Sequence, residues 1–271
     1  MMASEQGAMT MTERTVSVAG GQFNTEVVEE GRGQPLLFLH GTFGLEADRF
    51  LGRLAEQYRV IAPRHPGYGG STGSEQLLDI HDLIYYYLDF LDAEGLRGVP
   101  LVGHSLGAMF AAELAAVQPE RFSKLVLMDA FGLWNAAYPV ADFFAMMPRE
   151  LGQTLYHDPE SPTAQAASKP PEENEAFIAF MLERAKSLAT AAKYLWPIPN
   201  RGLSKRLHRI SAPTLLIWGE SDKLVPPQYG KDFQAGIKGA RLELIKGAGH
   251  LPQVEQPDQL AETVLSFLAQ K

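Results

Sequence analysis

The chain has 271 residues, 45% of them hydrophobic and 21% charged, with a formal net charge of −8 and no cysteine. That balance suits a globular protein. It argues against nucleic-acid binding, which needs a basic face, and it removes disulfides, thiol nucleophiles and cysteine-bound metals. No run reaches the roughly 18 apolar residues that span a bilayer, and residues 1–14 hold no apolar signal core. A cytoplasmic protein with no membrane partner is expected.

In chain order, residues 1–13 read as a disordered lead-in. Residues 15–18 and 23–29 flank Gly20-Gly21 as a hairpin. Residues 35–39 form a short apolar run, read as a buried strand, and 58–62 another, with helical spacing over 47–57. Residues 79–94 carry Ile80, Leu83, Ile84, Tyr87, Leu88 and Leu91 on one helical face, with Asp79 placed to cap the start and Gly95 to end it. Tyr85-Tyr86-Tyr87 therefore straddles core and surface. A strand over 99–102, a helix over 106–117 and a strand over 124–128 follow.

The rhythm then breaks. Residues 131–208 contain no strand pattern, only helical segments at 140–155 and 173–196 around a loop at 158–171. Alternation resumes with strand 214–218, helix 227–236, strand 241–245 and helix 257–269. Strand–helix alternation predicts an α/β fold with a mainly parallel sheet covered on both faces. Its core comprises 14–130 and 209–271, and a helical layer, 131–208, is inserted over one edge.

Gly103-His104-Ser105-Leu106-Gly107 lies where a strand turns into a helix. A serine there takes a strained backbone, flanking glycines avoid a clash, and the helix start supplies N–H groups that favour negative charge. Ser105 needs a base, and the base needs an orienting carboxylate. Asp222 follows strand 214–218 and His250 follows strand 241–245. Loops beyond the C-terminal strand ends converge in such a sheet, so Ser105, Asp222 and His250 are the candidate catalytic residues. His40-Gly41-Thr42-Phe43-Gly44 follows strand 35–39. Backbone N–H groups of Thr42 or Phe43 and of Leu106 are the candidate oxyanion donors.

These pieces, with Pro66-Gly67-Tyr68-Gly69-Gly70-Ser71, Gly219-Glu220-Ser221-Asp222 and Gly249-His250, resemble the α/β-hydrolase family over about residues 15–270. The resemblance implies an eight-stranded sheet with a helical cap inserted after the sixth strand. It leaves Asp129, at the end of strand 124–128, as a rival acid, because some related enzymes take theirs from that position. One departure is Arg64-His65, where similar proteins often carry Asp two places before the Pro-Gly.

His40 and His104 are expected to bond internally, and His65 to be a solvated loop residue. His81, His157 and His208 lack metal-ligand spacing, so no metal and no cofactor is expected. Apolar residues crowd the insertion, and the expected pocket comprises Phe43, Phe144, Met147, Trp196 and Leu251. The leading expectation is serine-dependent hydrolysis of a small, fairly apolar carboxylic ester through an acyl-enzyme. The alternatives are carbon–carbon hydrolysis of ring-cleavage products, lactone or thioester hydrolysis, and a non-catalytic ligand receptor.

Overall fold

The computed structural model describes residues 11–45, 48–198 and 200–270. Its eight strands are β1 Thr12–Val18, β2 Phe23–Glu30, β3 Pro35–Leu39, β4 Arg59–Pro63, β5 Val99–His104, β6 Phe122–Met128, β7 Thr214–Gly219 and β8 Arg241–Ile245. They form one sheet in the order β1-β2-β4-β3-β5-β6-β7-β8. The β1–β2 and β2–β4 pairs are antiparallel and the other five pairs are parallel. The helices are α1 Asp48–Ala55, α2 Ile80–Ala93, α3 Leu106–Val117, α4 Pro148–Leu155, α5 Pro162–Ser168, α6 Asn174–Leu195, α7 Gln228–Gly236, α8 Pro252–Glu255 and α9 Pro257–Leu268.

Strand side chains alternate between two faces. Leu37, Leu39, Leu101 and Leu127 join α2 and α3 in one core, while Leu36, Phe38, Val102 and Val126 join α1 and α9 in the other. Burial on both faces explains why these strands read as unbroken apolar runs. Because β3, β5, β6, β7 and β8 run parallel, their C-terminal ends reach the same edge of the sheet. Asp79 caps α2 as its spacing predicts, accepting from the N–H groups of His81 and Asp82.

Local structure departs from expectation at three places. β1 begins at Thr12, so residues 12–14 belong to the sheet and not to a lead-in; they pair with Glu29, Val28 and Val27. Their alternation is polar because this is an edge strand, with Arg14 bonded to Glu29 and Glu94. Residues 1–10 of the expected lead-in lie outside the described residues. The helix expected over 140–155 starts only at Pro148. Proline lacks an N–H and restricts the residue before it, so it occupies the first helical position and cuts off what precedes it. The expected loop 158–171 contains α5, started by Ser161, whose hydroxyl accepts from Ala164 N–H, and by Pro162 at its first turn.

The helical layer shares the core through Leu155, Ala191, Tyr194 and Leu195 and is tied to it by polar contacts. Tyr68 donates to Ser187 O at 3.2 Å, and Lys193 to Ser74 O at 2.6 Å. Arg206 makes a two-pronged contact at 2.7 and 2.6 Å with Glu113, which is buried on α3. The first half of α6 leaves Ile178 and Leu182 exposed.

Candidate active site

The turn after β5 is built by close backbone approach. A Cβ on Gly103 would lie 2.6 Å from Gly107 O, and one on Gly107 would lie 2.2 Å from Leu39 O. Both are too close for any side chain, so the glycines let α3 start directly against the exit of β3. Ser105 between them holds φ 55 and ψ −114. That strained conformation lifts the side chain off the strand end.

Two further exits bring the partners. A Cβ on Gly219 would lie 1.8 Å from Gly249 O, so the turns after β7 and β8 touch backbone to backbone. His250 N–H donates to Leu155 O at 2.7 Å, a contact from the helical layer. The result is one hydrogen-bonded chain. Ser105 Oγ lies 2.8 Å from His250 Nε2, and His250 Nδ1 lies 2.8 Å from Asp222 Oδ2. Asp222 Oδ1 accepts from the N–H groups of Leu224 and Val225 at 2.8 and 2.9 Å. All three residues are at most 3% exposed, so solvent competes little with these bonds. With Asp222 on Nδ1, the Nε2 lone pair is free to accept the serine proton.

A crevice of about 10 Å³ lies over the serine, lined by Gly41, Thr42, Phe43, Ser105, His250 and Leu251 among others. It has room for about one oxygen-sized atom. Leu106 opens α3, where N–H groups have no acceptor inside the helix. The side-chain oxygens Thr42 Oγ1 and Gln253 Oε1 are buried without a protein partner, leaving polar atoms available at this crevice.

Phe43 and Leu251 also line a larger cleft of about 300 Å³ with Leu155, Phe177, Phe180, Met181 and Arg184. The cleft is otherwise mainly apolar, and the Arg184 guanidinium sits 5.2 Å above the Phe43 ring. The other expected pocket residues, Phe144, Met147 and Trp196, do not line this cleft. Phe144 stacks on Phe143 at 4.2 Å and meets Trp196 edge-on at 5.8 Å. Trp196 is half exposed and Met147 is 67% exposed. Each precedes a proline and holds extended backbone just outside a helix. Phe177, Phe180, Met181 and Arg184 share an i, i+3, i+4, i+7 spacing, the signal that marks one face of α6.

The remaining histidines divide by burial. His104 Nε2 donates to His250 O at 2.8 Å, and burial together with His250 pushes its pKa down to about 3. His40 Nε2 accepts from His65 N–H at 3.0 Å, and burial lowers its pKa. His65 is not the solvated residue expected. It is 1% exposed, stacks on His40 at 3.7 Å, donates from Nε2 to His40 O at 2.8 Å and accepts from Tyr87 OH. Burial pushes its pKa down to about 4. Pro66 and the turn that follows fold this residue against His40, Tyr68 and Tyr87, a tertiary effect that no local pattern signals. Arg64 beside it forms an ion pair with Glu26 at 2.8 Å. His81 and His208 are exposed, while His157 Nδ1 meets Ser221 Oγ at 2.8 Å.

Asp129, Asp222 and His250 offer ligand atoms within 4.8 Å of one another. Asp222 and His250 already bond each other there, so this spacing serves a proton chain before it serves an ion. No helix among the described residues is long and apolar enough to cross a membrane.

A family model described as alpha/beta hydrolase fold matches residues 34–257. The chain is 30% identical to the 2-hydroxy-6-oxo-6-phenylhexa-2,4-dienoate hydrolase of Comamonas testosteroni, covering 90% of each chain. It is 28% identical to Lipase 1 of Psychrobacter immobilis, over 87% of this chain and 77% of that one. Among solved structures, a bacterial membrane phospholipase A superposes with a TM-score of 0.76 at 27% identity, covering 95% of this chain and 86% of that one.

Proposed function

The chain belongs to the α/β-hydrolase fold family, and on that premise we propose that Ser105, His250 and Asp222 hydrolyse a bond beside a carbonyl group. The substrate class we propose is an anionic, largely apolar ketone, cleaved at its carbon–carbon bond. The observation that carries this is the hydrogen-bonded chain from Ser105 to Asp222, whose crevice shares Phe43 and Leu251 with a mainly apolar cleft that holds Arg184.

Ser105 attacks the carbonyl carbon while His250 takes its proton. Asp222 orients the imidazole and stabilises its charged form. The backbone N–H groups of Leu106 and of Thr42 or Phe43 hold the oxyanion, each worth about 10²–10³ in kcat. The carbon–carbon bond then breaks, its electron pair leaves on the carboxylate-bearing fragment, and that carbon takes the proton held on His250, which frees the imidazole to act again as a base. Water activated by His250 releases the acid left on Ser105. Arg184 supplies a cation for the substrate carboxylate, where a guanidinium is well matched to two oxygens. Similarity to the Comamonas dienoate hydrolase supports this reading.

Ester hydrolysis by the same residues is the second reading. Leu251 favours it, because many similar carbon–carbon hydrolases carry Trp directly after the histidine. Similarity to Lipase 1 supports it as well.

A fluorophosphonate probe tests the shared chemistry. It should label Ser105, and Ser105→Ala should abolish labelling; equal labelling of the variant would overturn the assignment. A ring-cleavage dienoate, assayed beside nitrophenyl esters of increasing acyl length, tests the bond. The dienoate should lead in kcat/KM by about tenfold or more. No dienoate turnover with brisk ester turnover would replace the first reading with the second.

A further inference from the structure

Among the described residues, three besides glycine have positive φ: Ala19, Ser105 and Asp129. Two of these stand at equivalent places. Ser105 follows β5 and Asp129 follows β6, and the last residues of those strands, His104 and Met128, are paired in register. Asp129 has φ 47, which asparagine and aspartate tolerate better than most residues. Its side chain is fully buried. Oδ1 accepts from Gly219 N–H at 2.8 Å, whereas Oδ2 has no protein partner of its own. The groups facing it are Asp222 after β7, His250 after β8 and, further off, Glu255 of α8.

Two buried carboxyl groups this close cannot both carry charge. Asp222 already accepts from two backbone N–H groups and His250, three donors that favour its ionised form. Asp129 accepts from one. The proton therefore belongs on Asp129, and Asp129 Oδ2 is the atom free to carry it. Burial and the neighbouring Asp222 both push the Asp129 carboxyl upward, in the same direction.

We propose that Asp129 is a neutral carboxyl that donates a hydrogen bond to the Asp222 carboxylate and so positions the acid that orients His250. This rests on the reading of Ser105, His250 and Asp222 given above. The donor disperses part of the charge on Asp222, which weakens its hold on the imidazolium. It also ties the exit of β6 to the exit of β7, so the acid is held from behind as well as by its own turn.

Asparagine mimics a protonated aspartate in shape, donor and charge, and the test uses this. In Asp129→Asn, kcat/KM should stay within about threefold, and its acid limb should not move by more than about 0.3 pH. If Asp129 were ionised, the same change would remove a negative charge beside His250 and move the limb down by about 1 pH, overturning the proposal. In Asp129→Ala the donor is lost, so the limb should move up by about 0.5 pH, with kcat lower by about tenfold. An unmoved limb there would also overturn it.

Should Asp129→Ala fail to fold, the infrared carbonyl band of a protonated carboxyl decides. It should appear at neutral pH in a difference spectrum against Asp129→Asn, and its absence would overturn the proposal. The band needs no turnover and can be read in Ser105→Ala, so it stands or falls separately from the serine assignment.

Discussion

The strand exits and the inserted helical layer are built by different means. At the exits, backbone meets backbone: Gly107 against Leu39 and Gly219 against Gly249, at separations that admit no Cβ. The side chains between them are almost fully buried and bonded in series. The helical layer meets that backbone locally, at Leu155 O, which accepts from His250, and its longest helix is tied by side chains such as Tyr68 and Lys193 and leaves Ile178 and Leu182 exposed. Mutually dependent backbone contacts leave one geometry at the exits, while the side-chain ties of α6 leave its exposed half more room for variation. Chemistry on this reading is housed in the first region, and substrate choice in the second.

The sharpest way to break that division is Asp222→Asn. It should lower kcat by about 10⁴ with little change in KM, because the imidazole loses its correct tautomer while the fold persists. Circular dichroism would check the fold, and steady-state kinetics the loss. A drop confined to KM would mean that the exits do not house the chemistry. Arg184→Leu probes the other region. It should raise KM for a carboxylate-bearing substrate by about 10–100-fold, the loss expected for a charged hydrogen bond, and leave neutral esters within about threefold. An equal loss for both would mean that the helical layer takes part in the chemistry and not in selection.

A further effect is on stability, and it too belongs to the exits. His65 and His104 have folded pKa values of about 4 and about 3, below the ordinary 6.5. A depressed histidine contributes stability fully above pH 6.5, and that contribution is lost as pH falls toward 4, because the unfolded chain binds the proton more readily. Thermal melts should therefore be flat from pH 7 to 8 and fall steadily from 6.5 to 4, by roughly 1–3 kcal/mol for each such group. A Tm that holds constant down to pH 4 would contradict the buried neutral imidazoles.

The same division explains what could be read in advance. The sheet, its eight strands and the convergence of Ser105, Asp222 and His250 were legible because each follows an apolar run at a glycine-bearing turn. Such turns are local, and a parallel sheet carries them to one edge whatever lies between. His65 was not legible. A histidine before Pro-Gly looks like loop until the turn folds it beneath His40 and Tyr87. In the insertion, composition points to Phe144, Met147 and Trp196 at the pocket, whereas the cleft beside Phe43 and Leu251 is lined by a face of α6 and by none of these three. The α6 face from Phe177 to Arg184 carried a period that composition obscured.

By itself, then, the sequence determined which residues stand at strand ends and which turns need glycine, since backbone sterics act over a few residues. Only the tertiary structure decided that Arg184 comes to rest on Phe43, and that Asp129 arrives at Asp222 with one oxygen unpartnered. Those meetings depend on how separate elements pack, and the free energy of burying a charge or a carboxyl exists only once they have.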